Sequence, residues 1–124
     1  MTKILTLTIL LFGFQSKTEL PTIEVNSVDK DILTYARVDC SNFHNSFEKK
    51  EIRKRTIKRQ RQVSELIFEL ENLKVYDDRR KTDTRATLTI KYSDHVEKIC
   101  LDKFSVYKNG TCYKITDRLM KTIW

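Results

Sequence analysis

Glycine and proline are scarce in this chain, which has two Gly and one Pro among 124 residues. Beyond residue 16 only Pro21 and Gly110 remain, so the punctuation typical of loop-rich or disordered chains is missing. Histidine is limited to His44 and His95. The three cysteines, Cys40, Cys100 and Cys112, form no C-x-x-C pair and no Cys/His spacing of a structural zinc site. The carboxylates Asp77, Asp78 and Asp83 are interleaved with Arg79, Arg80 and Lys81, which argues against a cation site there. Neither a metal nor a cofactor is indicated.

The N-terminus reads as an export signal. Met1, Thr2 and Lys3 precede an apolar stretch, Ile4 to Phe14, which is too short for a membrane-spanning helix of roughly 20 residues. Polarity returns at Gln15, Ser16 and Lys17, and Ser16 offers a small residue for cleavage. Phe14 departs from the small-x-small pattern, which leaves the cleavage position open. No Cys lies near residue 16, so a lipid-anchored N-terminus is not supported. The expectation is a signal peptide over 1–16, removed to leave residues 17–124 as a single exported domain, periplasmic or secreted. A domain of that size buries roughly two thirds of its extended-chain surface and can fold without staples.

The formal charge of +7 is concentrated in one place. Residues 48–62, EKKEIRKRTIKRQRQ, hold Lys49, Lys50, Arg53, Lys54, Arg55, Lys58, Arg59 and Arg61 against Glu48 and Glu51. That segment carries nearly all of the net charge, and the remainder of 17–124 is neutral.

Two β-branched and aromatic runs, Thr22–Val28 and Ile32–Asp39, read as an N-terminal hairpin turning at Asp29-Lys30-Asp31. Val63, Leu66, Ile67, Leu70 and Leu73 recur at helical spacing and predict a helix over 63–74. Upstream the same wheel places Ile52 on the apolar arc, but also Arg55 and Arg59. A start among cations opposes the helix dipole, so the expectation is one basic helix beginning near Ser46 and running through 48–62. Four strands follow: Arg85–Tyr92, Val96–Asp102, Phe104–Lys108 and Thr111–Ile115, the last entered through Asn109-Gly110. Two-residue turns at Asp94-His95, Asp102-Lys103 and Asn109-Gly110 pair Leu88 with Leu101, Ile90 with Ile99, Ile99 with Val106 and Val106 with Tyr113. They also pair Leu101 and Ile115 with Phe104, placing all the large apolar residues on one face. Thr116 caps a short last helix carrying Leu119, Met120 and Ile123. The fold class is α+β: one main helix packed on an antiparallel sheet built from the N-terminal hairpin and the four-stranded meander, with a short C-terminal helix.

That order of elements is similar to the cystatin-like family of rolls, although no inhibitory motif of that family is present. The run IKYSDHVEKICLDKFSVYKNGTCYKI resembles the sheet of small exported bacterial proteins of unknown function, a resemblance of about 40 residues that implies no activity.

The basic run is the sharpest candidate site. On the expected helix Lys54, Lys58 and Arg61 share the face opposite the core, with Arg53 and Arg55 beside them, ready for an anionic protein, glycan or lipid surface. Nucleic acid fits poorly, because export separates the chain from it and no aromatics interleave the run. Ile52 and Ile57 are too few to make a membrane anchor. The competing reading is a solvated extension that serves solubility. On the expected registers Cys100 and Cys112 lie on the outer face a strand apart, beyond the roughly 7 Å that a disulfide spans between Cα atoms. Cys40 reads as a core thiol, with a bridge to one of the other two left open. Cys40 and His44 suggest a nucleophile and base, but no orienting acid or oxyanion site accompanies them. The leading expectation is a non-enzymatic exported binding module. A small enzyme using a cysteine and a structural accessory domain without a ligand are the alternatives.

Overall fold

The computed structural model describes residues 20–76 and 80–124. The expected signal, residues 1–16, lies outside them, as does part of the polar loop at 77–84. A six-stranded antiparallel sheet runs in the order β2-β1-β3-β4-β5-β6, with β1 Thr22–Ser27, β2 Arg53–Ile57, β3 Ala86–Lys91, β4 Val96–Leu101, β5 Ser105–Lys108 and β6 Thr111–Lys114. The helices are α1 (Phe43–Ser46), α2 (Gln60–Glu71) and α3 (Asp117–Ile123). The class is α+β, with helices on an antiparallel sheet, as the pattern of the chain implies.

Alternation sorts each strand into two faces. Ile23, Val25, Leu88, Ile90, Ile99, Leu101 and Val106 all point to one side and are buried. Val63, Leu66 and Leu70 of α2 pack on them, joined by Leu119 and Ile123 of α3. Thr116 caps α3, its hydroxyl accepting from Leu119 N at 3.0 Å. Asn109 and Gly110 both take positive φ, 50° and 78°, as a tight hairpin turn between β5 and β6 requires.

Two turns sit one residue away from the expected positions. Leu88 faces Ile99 and Ala86 faces Leu101, so the β3–β4 turn centres on Ser93-Asp94. Leu101 faces Val106, which moves Phe104 into the β4–β5 turn, where it is half exposed instead of facing inward. Asp102 fixes that turn: its Oδ1 accepts from Phe104 N and Ser105 N, both at 2.7 Å. A one-residue displacement of a turn changes cross-strand partners by two, so the buried face survives both corrections.

The expected N-terminal hairpin is not formed. Residues 32–39 contain no strand, and β1 pairs instead with β2 and β3. After β1 the chain leaves the sheet and lies against its second face, where Cys40 bridges the outward-facing Cys100 of β4. There Val28, Val38, Phe43 and Phe47 form a separate apolar cluster, with Ile32 and Ile52 packed against it. Burial in this cluster, rather than a ladder, uses the β-branched residues of 32–39. Arg85 holds the excursion: its Nε donates to Ile32 O at 3.1 Å and its two terminal nitrogens donate to Asp83 Oδ1 and Oδ2 at 2.8 and 3.2 Å. Val38 N donates to Asp83 Oδ1 at 2.7 Å.

Candidate functional site

The single basic helix expected over 48–62 is replaced by three elements. α1 ends at Ser46 with Phe47 extended, and Glu48 and Glu51 then close a reciprocal capping box around the 3-10 turn Lys49–Glu51. Arg53–Ile57 then runs as β2, with Ile57 opposite Ile23 and buried. The helix starts only at Gln60, and Arg59 at its N-cap makes no side-chain cap. The basic start that seemed electrostatically unfavourable is therefore used. Glu65, four residues on, offsets part of it at 3.8 Å from Arg61. The conflict on the helical wheel, with Arg55 and Arg59 on the apolar arc, was the visible sign that no continuous helix could pack here.

Lys54, Lys58 and Arg61 consequently share no helix face. Lys54 lies on β2, Lys58 in the connection after it and Arg61 in the first turn of α2. The segment is instead an exposed ribbon along one edge of the sheet, with Arg53, Lys54, Arg55, Lys58, Arg59 and Arg61 all in solvent. Arg53 and Arg55 belong to the helix-bearing side of the sheet and Lys54 to the other.

The partners of these cations divide them. The Arg55 guanidinium donates to the carbonyls of Thr122 and Ile123 at the C-terminal end of α3, where the helix dipole favours a cation. Lys50 lies 3.4 Å from Glu48. Lys54 Nζ lies 3.6 Å from Glu24 Oε2, and Lys91 Nζ is equally distant. Asn26 donates to the other Glu24 oxygen at 3.2 Å. That hydrogen bond chiefly holds the Glu24 carboxyl below the usual range; partial desolvation opposes it and the two lysines reinforce it. Lys49, Arg53, Lys58 and Arg59 make no ion pair with any described residue.

The structure adds two cations, Lys91 and Lys98, to those of the basic run. Glu24 sits in a cross-strand row Thr56–Glu24–Thr89–Lys98, and Lys91 stands in the neighbouring row beside Thr22. Lys91 and Lys98 thus extend the positive surface of β2 across the outer face. Alternation in β3 and β4 already placed both residues outward. That this face adjoins the basic run needed the unexpected β1–β2 pairing.

The cysteines resolve differently from the leading expectation. Cys40 is not a free core thiol: it bridges Cys100, with Cα atoms 5.7 Å apart. Cys112 is the free thiol. Cys100 and Cys112 both face Tyr107, one from each neighbouring strand, so they stay a full strand apart. With its sulfur in the bridge, Cys40 cannot act as a nucleophile, and the exposed His44 ring stands edge-on to Phe43 at 5.2 Å. A cleft of about 710 Å³ opens on this side, walled by Tyr76 and Tyr107 and reaching Cys40 and Cys112. Among the described residues no cluster of His, Cys, Asp or Glu is arranged to hold a metal ion, and no helix is long and apolar enough to cross a membrane.

Comparison with protein-family models, with curated proteins and with solved structures finds no match to this chain.

Proposed function

We propose that this chain is a small exported binding module, without catalytic activity of its own, that meets an anionic partner through the edge formed by β2 and its flanking residues. The observation that carries the reading is the exposed set Lys49, Arg53, Lys58 and Arg59, which has no ion-pair partner among the described residues. Like charges held together in solvent repel one another, so clustering them costs the fold stability that an arriving counter-charge would restore. Lys91 and Lys98 widen the surface, while Glu24 is nearly covered by its own two lysines. Export rests on residues 1–16 and bears on the partner by separating the mature chain from most nucleic acid.

The test is retention on heparin and on anionic liposomes across a salt gradient. Replacing Arg53, Lys58 and Arg59 by Gln removes charge without touching a described ion pair. Elution at clearly lower salt than wild type supports the reading. Unchanged elution refutes it. Arg55 is left in place, because its removal would uncap α3.

A further inference from the structure

The two edges of the sheet are finished differently. The hydrogen-bond alternation of antiparallel ladders shows which main-chain groups are involved. Val28 N donates to Arg85 O at 2.9 Å, one step beyond the Ser27–Ala86 pair. Counting back along the ladder, Asn26 and Glu24 exchange bonds with β3, so Ser27, Val25 and Ile23 direct theirs to β2. Their partners Arg53, Arg55 and Ile57 face β1. The N–H and C=O groups of Lys54 and Thr56 therefore point away from the sheet.

The same count predicts that Cys112 and Lys114 point outward from the opposite edge. There the expected groups are met: Tyr76 N donates to Cys112 O at 3.1 Å and Lys114 N to Lys74 O at 2.7 Å. Val75 lies opposite Tyr113 as an isolated bridge. The β6 edge is thus closed by a piece of the chain's own backbone. At β2 no described residue bonds to the outward groups of Lys54 or Thr56.

We propose that β2 is an acceptor edge for an extended acidic segment of another polypeptide, which adds to the sheet as a further strand beside β2. The inference rests on the reading of the basic edge as a binding surface and narrows the class of partner. Two features select an acidic peptide. The open edge offers donors and acceptors in alternation, and only another main chain matches both; a sulfated glycan or a lipid phosphate can accept from N–H but has nothing to donate to the carbonyls. The side chains are cationic on both faces, Arg53 on one and Lys54 on the other, with Lys49 and Lys58 beyond the strand ends. A second copy of β2 would set these cations against each other, so the edge refuses self-pairing while attracting carboxylates. The strand of five residues, Arg53–Ile57, would engage a segment of about 17 Å.

The experiment uses the whole mature chain and a labelled peptide of about nine residues alternating Glu and Val. Its counterpart has the same sequence with every main-chain nitrogen N-methylated, which blocks both edges of the peptide against strand pairing but leaves the side-chain charge unchanged. Anisotropy at low salt is expected to give binding of the unmethylated peptide at least about tenfold tighter, the value of one or two main-chain hydrogen bonds. The variant Thr56→Pro removes an outward donor and leaves the β1 ladder intact, and should lose the same factor. If that variant fails to fold, the two peptides on the wild-type chain still decide. Equal affinity for both peptides overturns strand addition and leaves the anionic-partner reading standing. Retention on heparin with no peptide binding does the same. Failure to bind either peptide or heparin overturns both.

Discussion

The Cys40–Cys100 bridge gives the most quantitative prediction. It closes a loop with a sequence separation of 60, which contains β2, α2 and β3. Cross-linking a loop of that length removes about 14 cal/mol/K of entropy from the unfolded chain, or about 4 kcal/mol at 25 °C. A domain of this size has a stability of about 5–15 kcal/mol, so the bridge is a large fraction of it. Replacing both residues by Ala should lower the urea midpoint by about 2 M, taking a slope of about 2 kcal/mol/M. Trp124 is a suitable reporter because its indole donates to Val28 O at 2.8 Å, where the chain enters the excursion over the outer face. The same preparation supplies an independent check. Unreduced chain in denaturant should expose one reactive thiol, that of Cys112. Three reactive thiols in the unreduced chain, or a midpoint shift below about 0.5 M, would refute the reasoning.

Further expectations concern packing, turn chemistry and pH. Phe43→Ala empties the second apolar cluster and should destabilise by about 3–5 kcal/mol in urea unfolding, although Phe43 lies outside the main core cluster that α2 and α3 join. Gly110→Ala meets open space around the new Cβ but must hold φ at 78°, so calorimetry should record a loss of about 1–2 kcal/mol from backbone strain alone. Glu24 has a lowered folded pKa, so its contribution is complete above its unfolded value and disappears as pH falls through the folded one. Urea midpoints of Glu24→Gln and wild type should therefore differ most near neutral pH and converge on acidification; a constant gap across that window counts against the Asn26–Glu24–lysine network.

Much of the fold could be read because burial on one face imposes a period. Leu88, Ile90, Ile99, Leu101 and Val106 mark that face whatever the turn length, so the meander and the α2 stripe were legible even where a register moved. What could not be read is where the chain leaves regular structure. The β-branched residues of 32–39 suit a half-buried strand, yet they are held as a crossing by contacts far away in sequence, chiefly Arg85, Asp83 and the bridge to Cys100. The basic run stands out in the sequence, but its backbone conformation does not. Its charges oppose a helix start, and its strand form depends on Ile57 finding Ile23 across a gap that no local pattern reveals. Lys91 and Lys98 were absent from the candidate surface for the same reason.

The central claim, that the β2 edge and its neighbouring lysines form the binding surface, is tested most directly by mapping amide shifts while a polyglutamate probe is titrated into a labelled chain of residues 17–124. Perturbations are expected to be strongest at Lys49–Arg61 and weaker at Lys91 and Lys98, fading as salt is raised. Shifts centred instead on the cleft of Tyr76, Tyr107 and Cys112, or none at low salt, would contradict it.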